Sequence, residues 1–193
     1  MKMSERGKYL CPYCRAPQIT SGDNEEENKR LEKLTESNHP HALFQLAGWY
    51  AGGEYGDRKA NELWLKAGEL GSHEAYFNLG NAYREGRGAE MDMKKAKHYY
   101  ELAAMMGSVH ARQNLAIMEL NVDNHCRAFK HYIIAARAGH EYSLAGVKEG
   151  FMKGDVAKEE YADTLRAYQK AQDDMKSDMR DEFAKLLSEH PLH

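Results

Sequence analysis

Three stretches of the 193-residue chain repeat one another, which constrains the fold more than any composition does. The clearest reads Ala75, Leu79, Gly80, Tyr83, then Gly86-Arg87-Gly88, then Asp92, Lys95-Ala96, Tyr99-Tyr100, Ala103-Ala104 and Gly107. The stretch before it gives Ala42, Leu46, Tyr50, Gly53, Asp57, Lys59-Ala60, Trp64, Ala67 and Gly71. The one after it gives Ala111, Leu115, Asn124, Arg127-Ala128, Tyr132, Ala135-Ala136 and Gly139. A worn fourth copy begins at Ser143, Val147 and Phe151 and reaches Gly154. Their starting positions are 33, 36 and 32 residues apart, yet Ala60–Ala67, Ala96–Ala103 and Ala128–Ala135 all keep a spacing of seven. Length variation is thus confined to a loop inside each unit, the behaviour of a stack of identical supersecondary units.

Each recurring residue has a physical role. Ala42, Leu46 and Tyr50 lie at i, i+4 and i+8, as do Ala75, Leu79 and Tyr83, so each set lines one helix face. The alanines of the second half let helices approach closely, and Trp64, Tyr100 and Tyr132 supply bulk against them. Gly71, Gly107 and Gly139 suit the left-handed residue that ends a helix. Asp57, Asp92 and Asn124 stand where an oxygen acceptor caps the start of the second helix.

This pattern resembles the Sel-one-like repeat family, a longer-loop relative of the TPR proteins. Ala75 to Gly107 follow the family's unit almost throughout, with Ala89 where the family has Val, and the third unit departs by replacing the glycine loop with Asn121-Val122-Asp123-Asn124. The resemblance implies an all-α fold: a right-handed α-solenoid of helix-turn-helix repeats over 39–156 (units 39–72, 73–108, 109–140 and a partial 141–156), closed by a C-terminal helical cap over 157–193. It also implies a binding scaffold, not an enzyme.

The N-terminus carries a second resemblance. Lys8 to Arg15, with Cys11-Pro12-Tyr13-Cys14-Arg15 at its centre, is similar to the closing segment of a RING finger, where such cysteines are zinc ligands. Structural zinc needs four ligands, and no Cys or His precedes Cys11. Completion by His39 and His41 is disfavoured by Pro40 between them and by the acidic run Asp23 to Glu27. Residues 1–20 read as a RING remnant, so no zinc or other cofactor is expected; a truncated RING and a zinc shared with a partner's ligands stay open. Residues 21–38 read as an acidic linker leading to a short capping helix around Leu31 and Leu34.

A formal net charge of −3 lacks the basic balance of a nucleic-acid binder. No apolar run reaches the roughly 20 residues of a membrane helix, nor is there the apolar segment of a signal peptide. The expectation is an intracellular, cytoplasmic protein that binds neither nucleic acid nor membrane. The scattered histidines match no H-E-x-x-H pattern, Gly86 and Gly88 are explained as turn residues, and Cys126 at a helix start lacks a partner base. No catalytic residue is assigned.

First helices line the concave face of hairpin solenoids, and positions not used by the core stripe are free for a partner. These are Glu74, Phe77, Asn81 and Arg84 in the middle unit, flanked by His41, Phe44 and Gly48 before and by His110, Gln113 and Ile117 after. A protein or peptide partner is expected there. Tyr161, Leu165, Tyr168, Met175, Met179, Phe183 and Leu186 form an apolar stripe near the C-terminus, read as a cap or as a seam for docking or self-association. A second reading of the whole chain is the substrate-recruiting part of a RING-type ubiquitin ligase.

Overall fold

A computed structural model describes Lys33, residues 39–51 and residues 54–175. Among these residues every regular element longer than one residue is an α-helix: α1 (Pro40–Tyr50), α2 (Glu54–Glu69), α3 (His73–Glu85), α4 (Met93–Met105), α5 (Val109–Leu120), α6 (His125–Arg137), α7 (Glu141–Lys153) and α8 (Lys158–Met175). Cys11, Cys14, the linker, Leu31, Leu34, Met179, Phe183 and Leu186 lie outside the described residues.

The helices pair as hairpins, α1 with α2, α3 with α4 and α5 with α6, and each second helix packs on the first helix of the next unit. The chain is an α-solenoid. Its core is a series of linked clusters rather than one centre. Leu43, Ala60, Trp64, Ala67, Ala75 and Leu79 form the first, and Ala96, Tyr100, Ala103, Ala111 and Leu115 another. A third joins Phe129, Tyr132, Ile133, Val147 and Val156. Every alanine of the repeated seven-residue spacing is fully buried, so an added methyl there would press on a neighbouring helix.

The joint between units explains why its length never varies. The N–H of Ser72 bonds to the carbonyl of Ala67 and that of Gly71 to Gly68; Ser108 and Gly107 repeat this with Ala103 and Ala104, and His140 and Gly139 with Ala135 and Ala136. This is a Schellman ending, which needs a left-handed residue; φ is +105° at Gly71, +99° at Gly107 and +88° at Gly139. The residue that completes the ending also caps the next helix. Ser72 Oγ accepts from the Ala75 amide at 3.2 Å, and Ser108 Oγ from Ala111 at 3.3 Å. One residue thus serves two helix ends, and any insertion would separate the two functions.

Two of the three expected caps at second helices require correction. Asp92 caps α4, its Oδ1 accepting from the Lys94 and Lys95 amides at 3.0 Å. Asp57 instead lies inside α2, which starts at Glu54. Asn124 is at the start of α6 but makes no side-chain cap; its amide donates to Glu119 Oε2 at 2.7 Å.

Thr164 on α8 is in register with Ala60, Ala96 and Ala128 and is fully buried, its hydroxyl donating to the Glu160 carbonyl at 2.8 Å. Helix α8 packs on both α6 and α7. Gln172 Nε2 donates to the Gly139 carbonyl at 3.0 Å, and the Phe151 and Tyr161 rings stack with centroids 5.0 Å apart. Tyr168, in register with Trp64, Tyr100 and Tyr132, is only half-buried, since among the described residues no further first helix covers α8.

Candidate interaction face

The candidate face is carried by α1, α3, α5 and the start of α7. Of the sequence-derived positions, Glu74, His110, Ile117 and Gly48 are exposed, while His41, Phe44, Phe77, Asn81, Arg84 and Gln113 are half-buried. Phe44 packs on the cluster around Leu43 and Trp64, and Phe77 on the cluster around Tyr100 and Leu115. Asn81 Oδ1 accepts the Tyr100 hydroxyl at 2.6 Å and the Asn114 amide at 3.4 Å. Burial pushes the Tyr100 pKa up, which keeps that hydroxyl a donor. Arg84 pairs with Glu85 at 2.6 Å, and this bond is the main reason the Glu85 carboxyl lies below its ordinary value. Several of these positions therefore support the fold from its rim, whereas Glu74, His110 and Ile117 project from it.

An aromatic row crosses the face. Ring centroids of Phe77 and His110 are 5.9 Å apart, those of His110 and His140 are 5.0 Å apart, and those of His140 and Tyr142 are 6.0 Å apart. The row links α3, α5 and α7, and Tyr142 at its end is 74% exposed. Sequence reasoning missed Tyr142, although it occupies the same register as His41, Glu74 and His110 in the earlier units. It also missed Glu119, which stands where the first two units carry Tyr50 and Tyr83 and is buried.

A cavity of about 180 Å³ between α2, α3 and the Gly86–Gly88 loop is lined by Asn61, Leu65, Leu79, Tyr83 and Tyr99. That is below the roughly 300–1,000 Å³ typical of ligand pockets. Among the described residues no group of three or more His, Cys, Asp or Glu could hold a metal ion, and no helix is long and apolar enough to cross a membrane.

The sequence model of the Sel1 repeat matches residues 40–72, 73–108 and 124–140. A segment of 60 residues is 37% identical to the ERAD-associated E3 ubiquitin-protein ligase component HRD3B of Arabidopsis thaliana, covering 31% of this chain and 10% of that protein. The crystal structure of a Sel1 repeat protein from Oxalobacter formigenes superposes with a TM-score of 0.63 at 25% identity, over 76% of this chain and 64% of the other. The c5321 antigen of uropathogenic Escherichia coli, which displays an SLR fold, gives a TM-score of 0.61 at 20% identity over 89% of this chain and 37% of the other. This chain thus matches a tenth of its curated plant relative, and less than two thirds of either solved structure.

Proposed function

We propose that this chain, which carries Sel1 repeats, is a non-catalytic intracellular scaffold holding a protein or peptide on the face shared by its first helices. The supporting observation is the row Phe77–His110–His140–Tyr142, which crosses three successive units, ends on the exposed Tyr142 and shares its helices with the exposed Glu74 and Ile117. An extended peptide or an amphipathic helix takes its affinity from such a run of aromatic anchors with polar neighbours. Solenoids characteristically bind on surfaces that span repeats, because no single unit offers enough area. In this reading neither nucleic acid nor membrane is a partner, and no cofactor is used.

The test uses residues that project rather than those that hold the fold. The triple variant Glu74→Ala, Ile117→Ala, Tyr142→Ala should keep its helical circular dichroism and lose a partner that the wild-type chain captures. Undiminished capture would overturn this face as the binding surface.

A second reading is favoured by the segment shared with the plant ligase component: the chain recruits substrates to a ubiquitin ligase whose catalytic zinc domain lies elsewhere. Purification of the tagged chain from its host should then bring down a ligase that discharges ubiquitin in vitro. Recovery of partners with no such activity would remove this reading and leave the scaffold.

A further inference from the structure

We propose that His140 makes the joint between the third and fourth units a pH-sensitive cap, closed while its ring is neutral and loosened when the ring takes a proton. At the two preceding joints the same position is held by Ser72 and Ser108, whose hydroxyls do not titrate near neutrality. Here an imidazole does the work. His140 Nδ1 lies 3.3 Å from the Ser143 amide nitrogen and 2.9 Å from Ser143 Oγ. A backbone N–H can only donate, so Nδ1 accepts and the ring proton sits on Nε2. Ser143 is fully buried, so in the folded chain its amide depends on this acceptor.

Protonation removes that acceptor and sets N–H against N–H. It also puts a positive charge at a helix N-terminus, where the peptide dipoles already present their positive end. His110 on α5 meets the ring edge-on at 5.0 Å. The elements meeting here also carry Arg137 at the end of α6, Glu141 and Tyr142 on α7, and Asp173 beside Gln172 on α8. Burial first, and His110 second, hold His140 below its ordinary value of 6.5. A depressed histidine contributes stability that is complete above the unfolded value and is lost as pH falls through the folded one.

The backbone bond from the His140 N–H to Ala135 survives protonation, since it does not titrate. The loosening therefore falls on the first turn of α7 and on Tyr142. It requires no partner, so it stands or falls apart from the scaffold reading.

The experiment combines ring-proton NMR of the histidines with amide protection factors at Ser143 and Leu144 between pH 5 and 8. In the wild-type chain His140 should titrate below 6.5. Protection at Ser143 should fall about tenfold per pH unit between the ordinary and the folded value. His140→Ser restores the cap used at the other joints and should flatten this profile, while His110→Gln should keep the slope and move the His140 titration upward. A wild-type His140 titrating at or above the ordinary value would overturn the proposal, as would an unaltered profile in His140→Ser. Should His140→Ser not fold, the wild-type titration and protection profile decide alone.

Discussion

Lys97 Nζ on α4 lies 2.7 Å from Glu119 Oε1 on α5, and Glu119 is only 1% exposed. Its other oxygen accepts from the Asn124 amide at 2.7 Å, while Arg127 Nε lies 3.8 Å from Oε1. This carboxylate stands where the first two units place a tyrosine, in the unit whose loop lacks glycines. It ties the shortened turn to the start of α6 and holds α4 against α5. Removing one member leaves the other without its charge partner, the costly way to break such a pair. Glu119→Ala should cost about 2 kcal/mol in urea unfolding, allowing for the partly exposed lysine. The hydrogen bond from Lys97, the largest cause, holds the Glu119 pKa below 4.5. Its contribution is therefore complete above that value and is lost as pH falls through the lower folded one. Glu119→Gln should weaken this acid dependence below pH 4.5.

Gly80 faces Tyr100 so closely that a Cβ there would lie 2.6 Å from two ring carbons. The ring cannot retreat, because Tyr100 is fully buried and its hydroxyl is fixed on Asn81. Gly80→Ala would gain helix propensity of less than about 1 kcal/mol, against an overpacking cost of about 1–3 kcal/mol. A net loss in melting temperature is expected; a gain would show that α3 and α4 can separate cheaply.

The joints offer a paired comparison. Ser108→Ala removes the acceptor for the Ala111 amide but leaves the backbone bonds of the preceding helix end untouched. The expected loss is about 1 kcal/mol, measured by chemical denaturation, and Ser72→Ala should match it. A negligible effect in both would mean that the glycine ending alone fixes the joint.

The parts of this fold that were legible in the sequence are those each unit repeats. Alanines seven apart, the aromatic between them and the closing glycine recur because every hairpin meets the same close approach, so copies reinforce one another. What departs from the repeat was not legible. Glu119 gains its meaning from a loop length and from Lys97 on a neighbouring helix, neither visible in its own spacing. His140 replaces a serine by a residue that cap preferences do not include. The candidate face suffered in a third way: helical register separates core from rim, but it does not say which rim residues a neighbour has already engaged. The tyrosine that engages Asn81 is itself a recognised repeat position, yet the direction of its hydroxyl depends on the packing of α4.

That distinction yields a last prediction about Phe77 and Ile117, which register alone places on the same face. Phe77 is half-buried and meets both Tyr100 and His110, with ring centroids 6.0 and 5.9 Å away. Truncation to alanine removes apolar surface shared with the cluster around Leu115, and Phe77→Ala should destabilise by about 2 kcal/mol. Ile117 is 41% exposed, and surface substitutions of this kind stay within about 0.5 kcal/mol. Ile117→Ala should therefore unfold with the wild-type chain while changing whatever this face binds. If Phe77→Ala proved equally silent in unfolding, Phe77 would belong with the projecting residues and would become the first anchor to test against a partner.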